Sequence, residues 1–365
     1  MIQFSKVIMG KLGLFSSNLR EMVEGGSPQW IPFTLDIGAI GGLTEPILRR
    51  FKDKTGASDP QEYFDYDFRT CSLRAIFGGK NTLEYHGVLP PGITFDEWGI
   101  GHWSGGAEGT YERIYSPLAC VSSISEIECY PLPVIEKPYP VTMIKSYRDR
   151  GYPVFGYAGS LYEWSWWLRG MENFMSDLIL RRDFAEAVLD KVAGYTLKLA
   201  LESAGAGIDV LCFYDDVGMQ RGMQISPRCW RTFIKPRWKN ILEEVRRKYP
   251  QAIFFLHSCG NITEILMDIV ELGFHILHPV QPECMDLASI RKRFGKNIVL
   301  CATISSQKTF PFGSPDEVRD EVRRLKRTFI TDMRCILCPS NRVQPETPWE
   351  NVVTFVEEAK KDRWA

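Results

Sequence analysis

Residues 253–261 read Ile-Phe-Phe-Leu-His-Ser-Cys-Gly-Asn. A short apolar run with the look of a buried strand passes straight into a polar turn. Apolar residues at Ile262, Ile265, Leu266 and Ile269 follow at helical spacing. That order is the junction of a β/α unit, and it sets His257 and Cys259 two residues apart. Residues i and i+2 of an extended strand point to one side. An imidazole and a thiol are therefore expected together at the carboxyl end of a buried strand, where parallel α/β folds keep their chemistry. Imidazole and thiolate are a zinc-type pair. A buried cysteine serves equally well as a small apolar residue.

Seven further runs resemble that strand: IPFTLD near residue 33, YDFRTCSL near 69, YPVFGYAG near 155, IDVLCFYDD near 211, HILHPVQ near 277, NIVLCATI near 300 and RCILCPS near 337. Amphipathic helical stretches separate the later ones. Asp183 and Ser314-Pro315 open two of these helices, and Gly205 closes one. Alternating strands and helices with doubly apolar strands predict a parallel sheet, and eight such repeats predict a (β/α)8 TIM barrel. The chain is expected to be a single domain over 1–365. Residues 77–140, rich in Gly, Pro and polar residues, are expected to form an inserted lid or hairpin segment bordering the mouth or a homodimer interface.

The 365 residues carry a formal net charge of −1, 44% hydrophobic and 24% charged residues. That balance fits a soluble enzyme and offers no basic surplus for nucleic acid or an anionic membrane. No apolar run approaches the ~20 residues of a membrane span, and the start of the chain lacks a clear signal-peptide cleavage region. A cytoplasmic location is expected. The ten cysteines are irregularly spaced, which suits reduced thiols better than a disulfide framework.

In a barrel, residues at the strand ends converge on one mouth. Candidates for catalysis are Tyr214, Asp215 and Asp216; two adjacent carboxylates cannot share a face, so one can look into the mouth while the other caps a turn. Candidates for substrate binding are Asp36, Tyr157, Trp166, Arg169 and Gln281. For a metal, His257 and Cys259 need further ligands. Cys301, placed at the same level two strands on, and His278, on the strand between, are the candidates. Both also read as packed or hydrogen-bonded core residues.

Four stretches carry a resemblance: GYPVFGYAGSLYEWSWWLRGMENFMSDL, DVLCFYDDVGMQRGMQISPRCWRTFIKPRW, FFLHSCGNITEILMDIVELGFHILHPVQPE and CPSNRVQPETPWENV. Together they resemble the uroporphyrinogen decarboxylase superfamily, in its branch related to corrinoid-dependent methyltransferases. The resemblance implies a barrel, a zinc ion held by His257, Cys259 and a later cysteine, and a partner protein that carries a corrinoid (cobalamin). By this matching the later cysteine falls on Asn341, so the remaining ligands are sought at Cys301 and His278. The Arg-Gln-Ala-Gly-Arg segment with which true decarboxylases grip substrate carboxylates is matched here by SPQWIPFTLDIGAIGG, which has no arginine. The resemblance implies a methyltransferase that passes a methyl group from a small molecule to a corrinoid protein. The tryptophans at 164, 166 and 167 favour an aromatic methyl ether and hence an O-demethylase component. The alternatives are a porphyrinogen-type decarboxylase and a non-catalytic tetrapyrrole- or corrinoid-binding barrel. Members of the superfamily are commonly homodimers.

Overall fold

The computed structural model describes residues 13–103, 113–361 and 363. Seven parallel strands form one sheet in chain order: β1 (Arg69–Thr70), β2 (Val154–Gly159), β3 (Val210–Tyr214), β4 (Ile253–His257), β5 (Ile276–Val280), β6 (Val299–Ile304) and β7 (Cys335–Pro339). The expected eighth run closes the curl. Pro32 O accepts from Leu337 N and Thr34 N donates to Leu337 O on one side, while Phe33 O accepts from Asp67 N on the other. Phe33 thus bridges the two edge strands, and the sheet becomes a barrel.

Side-chain parity explains the layering. On β3 and β4, Val210, Cys212, Tyr214, Ile253 and Phe255 belong to the cluster that fills the barrel. Their alternates Leu211, Phe213, Phe254 and Leu256 join the larger cluster shared with the helices. Each such side chain contributes roughly 1.5–3 kcal/mol by leaving water, so a strand slipped by one residue would forfeit most of this burial. Parity also turns His257 and His278 inward, and register pairs Tyr214 with His257 and His257 with His278.

The helices follow the sequence signals closely. Ser314 and Glu317 form a capping box at the start of Pro315–Thr328, whose buried face is Val318, Val322 and Leu325. The sequence pattern from Tyr162 to Leu178 predicts one helix, but the structure breaks it in two, Tyr162–Arg169 and Met171–Leu180. Gly170 adopts φ 86° between them, a backbone that L side chains rarely adopt.

The insertion is built as expected, on short strands. Thr94–Phe95, Gly101–Trp103 and Arg113–Tyr115 make a three-stranded antiparallel sheet, and Ala75–Ile76 pairs with Val134–Ile135. It rests on two of the helices between β2 and β3: Trp98 packs on Trp164 of Tyr162–Arg169 at 5.4 Å and on Tyr195 of Arg182–Gly205 at 5.0 Å. The expected hairpin partly falls at 104–112, outside the described residues. Among the described residues, no helix is long and apolar enough to cross a membrane.

Candidate active site at the carboxyl end of the barrel

The tail of β4 carries the centre. His257 ends the strand inside the barrel, and the chain then turns through Ser258 and Cys259 at Gly260, which holds φ 82° against the backbone of Gly218 and Met219. A Cβ at Gly260 would lie 2.5–2.8 Å from that backbone, so glycine is needed for the two loops to touch. Cys259 is thereby held 3.3 Å from His257 Nε2 through its sulfur. Asp216, after β3, reaches the same point: its Oδ1 accepts from Cys259 N at 2.7 Å and lies 3.5 Å from His257 Nε2. Among the described residues, Asp216, His257 and Cys259 form a group whose ligating atoms all lie within 4.8 Å of one another.

Behind this group a chain of hydrogen bonds fixes which imidazole nitrogen faces it. His278 Nε2 lies 3.0 Å from the Pro339 carbonyl, and the two Nδ1 atoms of His278 and His257 are 2.8 Å apart. A carbonyl only accepts, so a neutral His278 carries its hydrogen on Nε2 and accepts at Nδ1. His257 then donates from Nδ1, and its Nε2 lone pair is left facing Cys259 and Asp216. Burial holds the His257 imidazole down at about 3, and so neutral. Burial pushes the Asp216 carboxyl up to about 6, against the pull of the Cys259 N–H. Burial, together with the charges of Asp216 and Glu163, pushes the Cys259 thiol well above its usual range. A neutral imidazole, a thiol and a carboxylate converging in this way, with a backed imidazole, fit the donor set that zinc takes.

The expected ligand pair is redistributed. Cys301 is not in the group. It is 1% exposed in the barrel-filling cluster with Cys212 and Cys338, and burial pushes its thiol well up, with Cys338 as hydrogen-bond partner. Strands of a barrel tilt, so a residue two strands away in matching register sits a layer away along the axis. His278 stands behind His257 rather than beside it.

The other expected residues divide in the same way. Asp215 is saturated: it accepts from Ser160 Oγ, Leu161 N, Glu163 N and Trp238 Nε1, so it anchors the helix after β2 instead of facing the mouth. The Tyr214 hydroxyl donates to Ile37 O at 2.6 Å and accepts from Ala39 N at 2.7 Å. Both its roles are taken by the turn 37–40, whose Gly38 (φ +75°) leaves no room for a Cβ, at 2.7 Å from that oxygen. Asp36 is buried beneath this turn, accepting from Gly42 N, and burial pushes its carboxyl up to about 7. Tyr157 stacks on Tyr214 at 5.2 Å. Trp166 packs on Trp167, which meets His102 of the insertion. Arg169, expected to bind substrate, is buried against Asp177 at 2.7 Å and donates to the carbonyls of Leu118, Ala119 and Val121. It fastens the insertion.

Gln281 does reach the site. Its Oε1 accepts from Gly260 N at 2.9 Å, and it lines a cleft of about 460 Å3 that opens over Cys259. Asn341, beside it, has its Nδ2 3.5 Å from the Cys259 sulfur. Gln220, Gln307 and Gln344 complete an amide collar. Sequence reading did not single out these three, because a glutamine in a loop carries no periodicity; their one common signal is position just after a strand end.

Known proteins share this frame. A methylcobamide:CoM methyltransferase of Methanosarcina barkeri is 29% identical over 189 residues, 52% of this chain and 52% of that protein. The chain thus spans about half the length of that relative. A uroporphyrinogen decarboxylase of Nostoc punctiforme is 25% identical over 270 residues, 71% and 73% of the two chains. The solved structure of a methyltransferase from Methanosarcina mazei superposes with a TM-score of 0.67 at 21% identity, over 95% of this chain and 98% of that one, a likeness of fold. The profile of the uroporphyrinogen decarboxylase (URO-D) family matches residues 121–361. That span runs from the fastened end of the insertion through β7 and holds Asp216, His257 and Cys259, so by both its barrel and its sequence the chain belongs to the uroporphyrinogen decarboxylase family.

Proposed function

We propose that the protein is a methyltransferase that passes a methyl group between a small molecule and a corrinoid carried by a partner protein, with zinc at the mouth of the barrel. The observation that carries this reading is the convergence of Asp216, His257 and Cys259 within 4.8 Å on an imidazole whose free nitrogen is fixed from behind. His257 and Cys259 would hold the ion, with Asp216 as the third donor. When bound, zinc would supply Lewis acidity to the heteroatom that carries the methyl group. Asn341 steadies the Cys259 sulfur and His278 keeps the His257 tautomer. The finer reading is an oxygen-bound methyl group, as in an O-demethylase component; the amides and hydroxyls around Cys259 support it, whereas the tryptophans at 164–167 lie against the insertion.

The family also contains decarboxylases, and a tetrapyrrole substrate needs both room and cations. Arg169 is spent on Asp177, and Arg342 donates to the Leu43 carbonyl. The turn 37–40 is seated on Tyr214, packed against the cluster that fills the barrel. These features favour methyl transfer over decarboxylation.

Metal analysis of the purified protein tests the proposal. About one zinc per chain is expected, with little in Cys259→Ala or His257→Ala, alongside corrinoid demethylation followed by absorbance. A metal-free native protein, or full zinc in Cys259→Ala, would overturn it.

A further inference from the structure

The cleft over Cys259 is unusual in its lining. Five of its eleven lining residues are primary amides (Gln220, Gln281, Gln307, Asn341 and Gln344), two are serines, and among the described residues none is a lysine, arginine, aspartate or glutamate. Arg221, Lys308 and Arg342 are chain neighbours of lining residues, yet none of them lines the cleft. Arg342 is turned to the Leu43 carbonyl. At the floor, the Cys259 amide is bonded to the Asp216 carboxylate at 2.7 Å. In the metal-free chain an anion entering here would meet no side-chain cation in the lining to replace its hydration, with the Asp216 carboxylate bonded behind Cys259. A neutral ligand with oxygen or nitrogen would meet donors and acceptors on several sides, since each amide offers both.

We infer that this cleft takes an uncharged, hydrogen-bonding methyl carrier and rejects anions, including sulfonate-bearing thiols. This rests on the proposed methyl transfer for the identity of the ligand's role, but the charge preference belongs to the cleft itself. The feature distinguishes this chain from any protein that must bind a thiol through an anionic tail, for which a lysine or arginine is the usual partner.

The test uses two alkylating reagents of nearly equal size, neutral iodoacetamide and anionic iodoacetate. With each, the Cys259 sulfur forms a bond to the reagent's CH2, the carbon–iodine bond breaks, iodide leaves and the thiol proton passes to buffer. Rates at individual cysteines are read by peptide mass spectrometry on the full chain, chelator-treated and zinc-loaded. Cys120 and Cys129 are exposed and serve as internal references. The amide-to-acid rate ratio at Cys259 should exceed theirs by roughly tenfold, the scale of a like-charge penalty, and Gln307→Lys, at an exposed position, should bring it back toward them. An equal ratio at Cys259, or an unchanged one in Gln307→Lys, would overturn the inference. So would failure of either reagent to reach Cys259 while Cys120 and Cys129 react. Protection of Cys259 by zinc is a separate reading: its absence counts against the metal and leaves the charge preference standing.

Discussion

The two ends of the barrel each carry a cleft, and the larger one is not the one over which ligating groups converge. At the amino end a cleft of about 880 Å3 is lined by Arg20, Lys145, Arg148, Asp149 and Asp209 among others. Its charges have partners close by: Arg148 lies 3.4 Å from Asp209, Lys145 pairs with Asp149, Asp209 accepts from Val154 N, and Arg20 donates to Gln251 Oε1. At the carboxyl end the cleft has about half that volume, but reactive groups converge in it and one lone pair is aimed. Loops that follow strands gather side chains from several β/α units at one point, whereas those that precede strands mainly tie the fold together. The contrast makes convergence, not volume, the ground on which the site is proposed.

The sharpest way to break this comparison is to strike both ends. His257→Ala or Cys259→Ala should abolish corrinoid demethylation, a loss of at least ~10³-fold if the metal reading holds, whereas Arg148→Ala should leave rate unchanged and stability within ~0.5 kcal/mol. Steady-state rates and denaturant unfolding on the three variants decide it; loss of activity in Arg148→Ala would move the chemistry to the other end. A smaller contrast lies between neighbours. Asp216→Asn should lower the rate by about 10²-fold with little change in stability. Asp215→Asn should cost about 1–3 kcal/mol through mismatched buried hydrogen bonds. If both behave alike, the division of labour drawn from their contacts fails.

Arg169→Met offers a purely structural counterpart. It strips the partner from the buried Asp177 and three carbonyls, and should destabilise by about 3–5 kcal/mol. An unfolding midpoint close to the native one would show the insertion to be fastened elsewhere. The mildest effect concerns pH. Burial raises the Asp36 carboxyl from 3.8 to about 7, so the folded chain holds that proton more tightly than the unfolded one. Its contribution to stability is full below about pH 4 and is lost as pH climbs toward about 7, at roughly 1.4 kcal/mol per unit. Asp36→Asn should flatten that part of the profile; an unchanged slope in unfolding free energy would assign it to the other buried carboxyls.

Much of this was legible beforehand, and the reason differs by level. The seven strands announced themselves because burial on both faces forces continuous apolar runs, and even the bridge at Phe33, with no regular strand around it, was readable in IPFTLD. The His257–Cys259 pair was legible because strand parity and a turn glycine are local. Cys301 misled because its position depends on strand tilt across two neighbours, which no local pattern encodes. Arg169 misled for a related reason: its partner Asp177 lies eight residues on, across the Gly170 break, whereas a continuous helix would have set the two about 12 Å apart along its axis.

The carbonyl behind His278 has one more consequence. The atom that orients the two imidazoles belongs to the main chain at Pro339, so replacing that side chain leaves the acceptor in place. The orientation of the His257 lone pair is therefore insulated from substitution at one end of its relay and exposed at the other. Mutational drift at position 339 should be tolerated as long as the strand holds, while position 278 accepts only a side chain that can receive from one nitrogen and give to a carbonyl. A deep mutational scan would record that inequality as two strand ends, with one strand between them, of opposite tolerance.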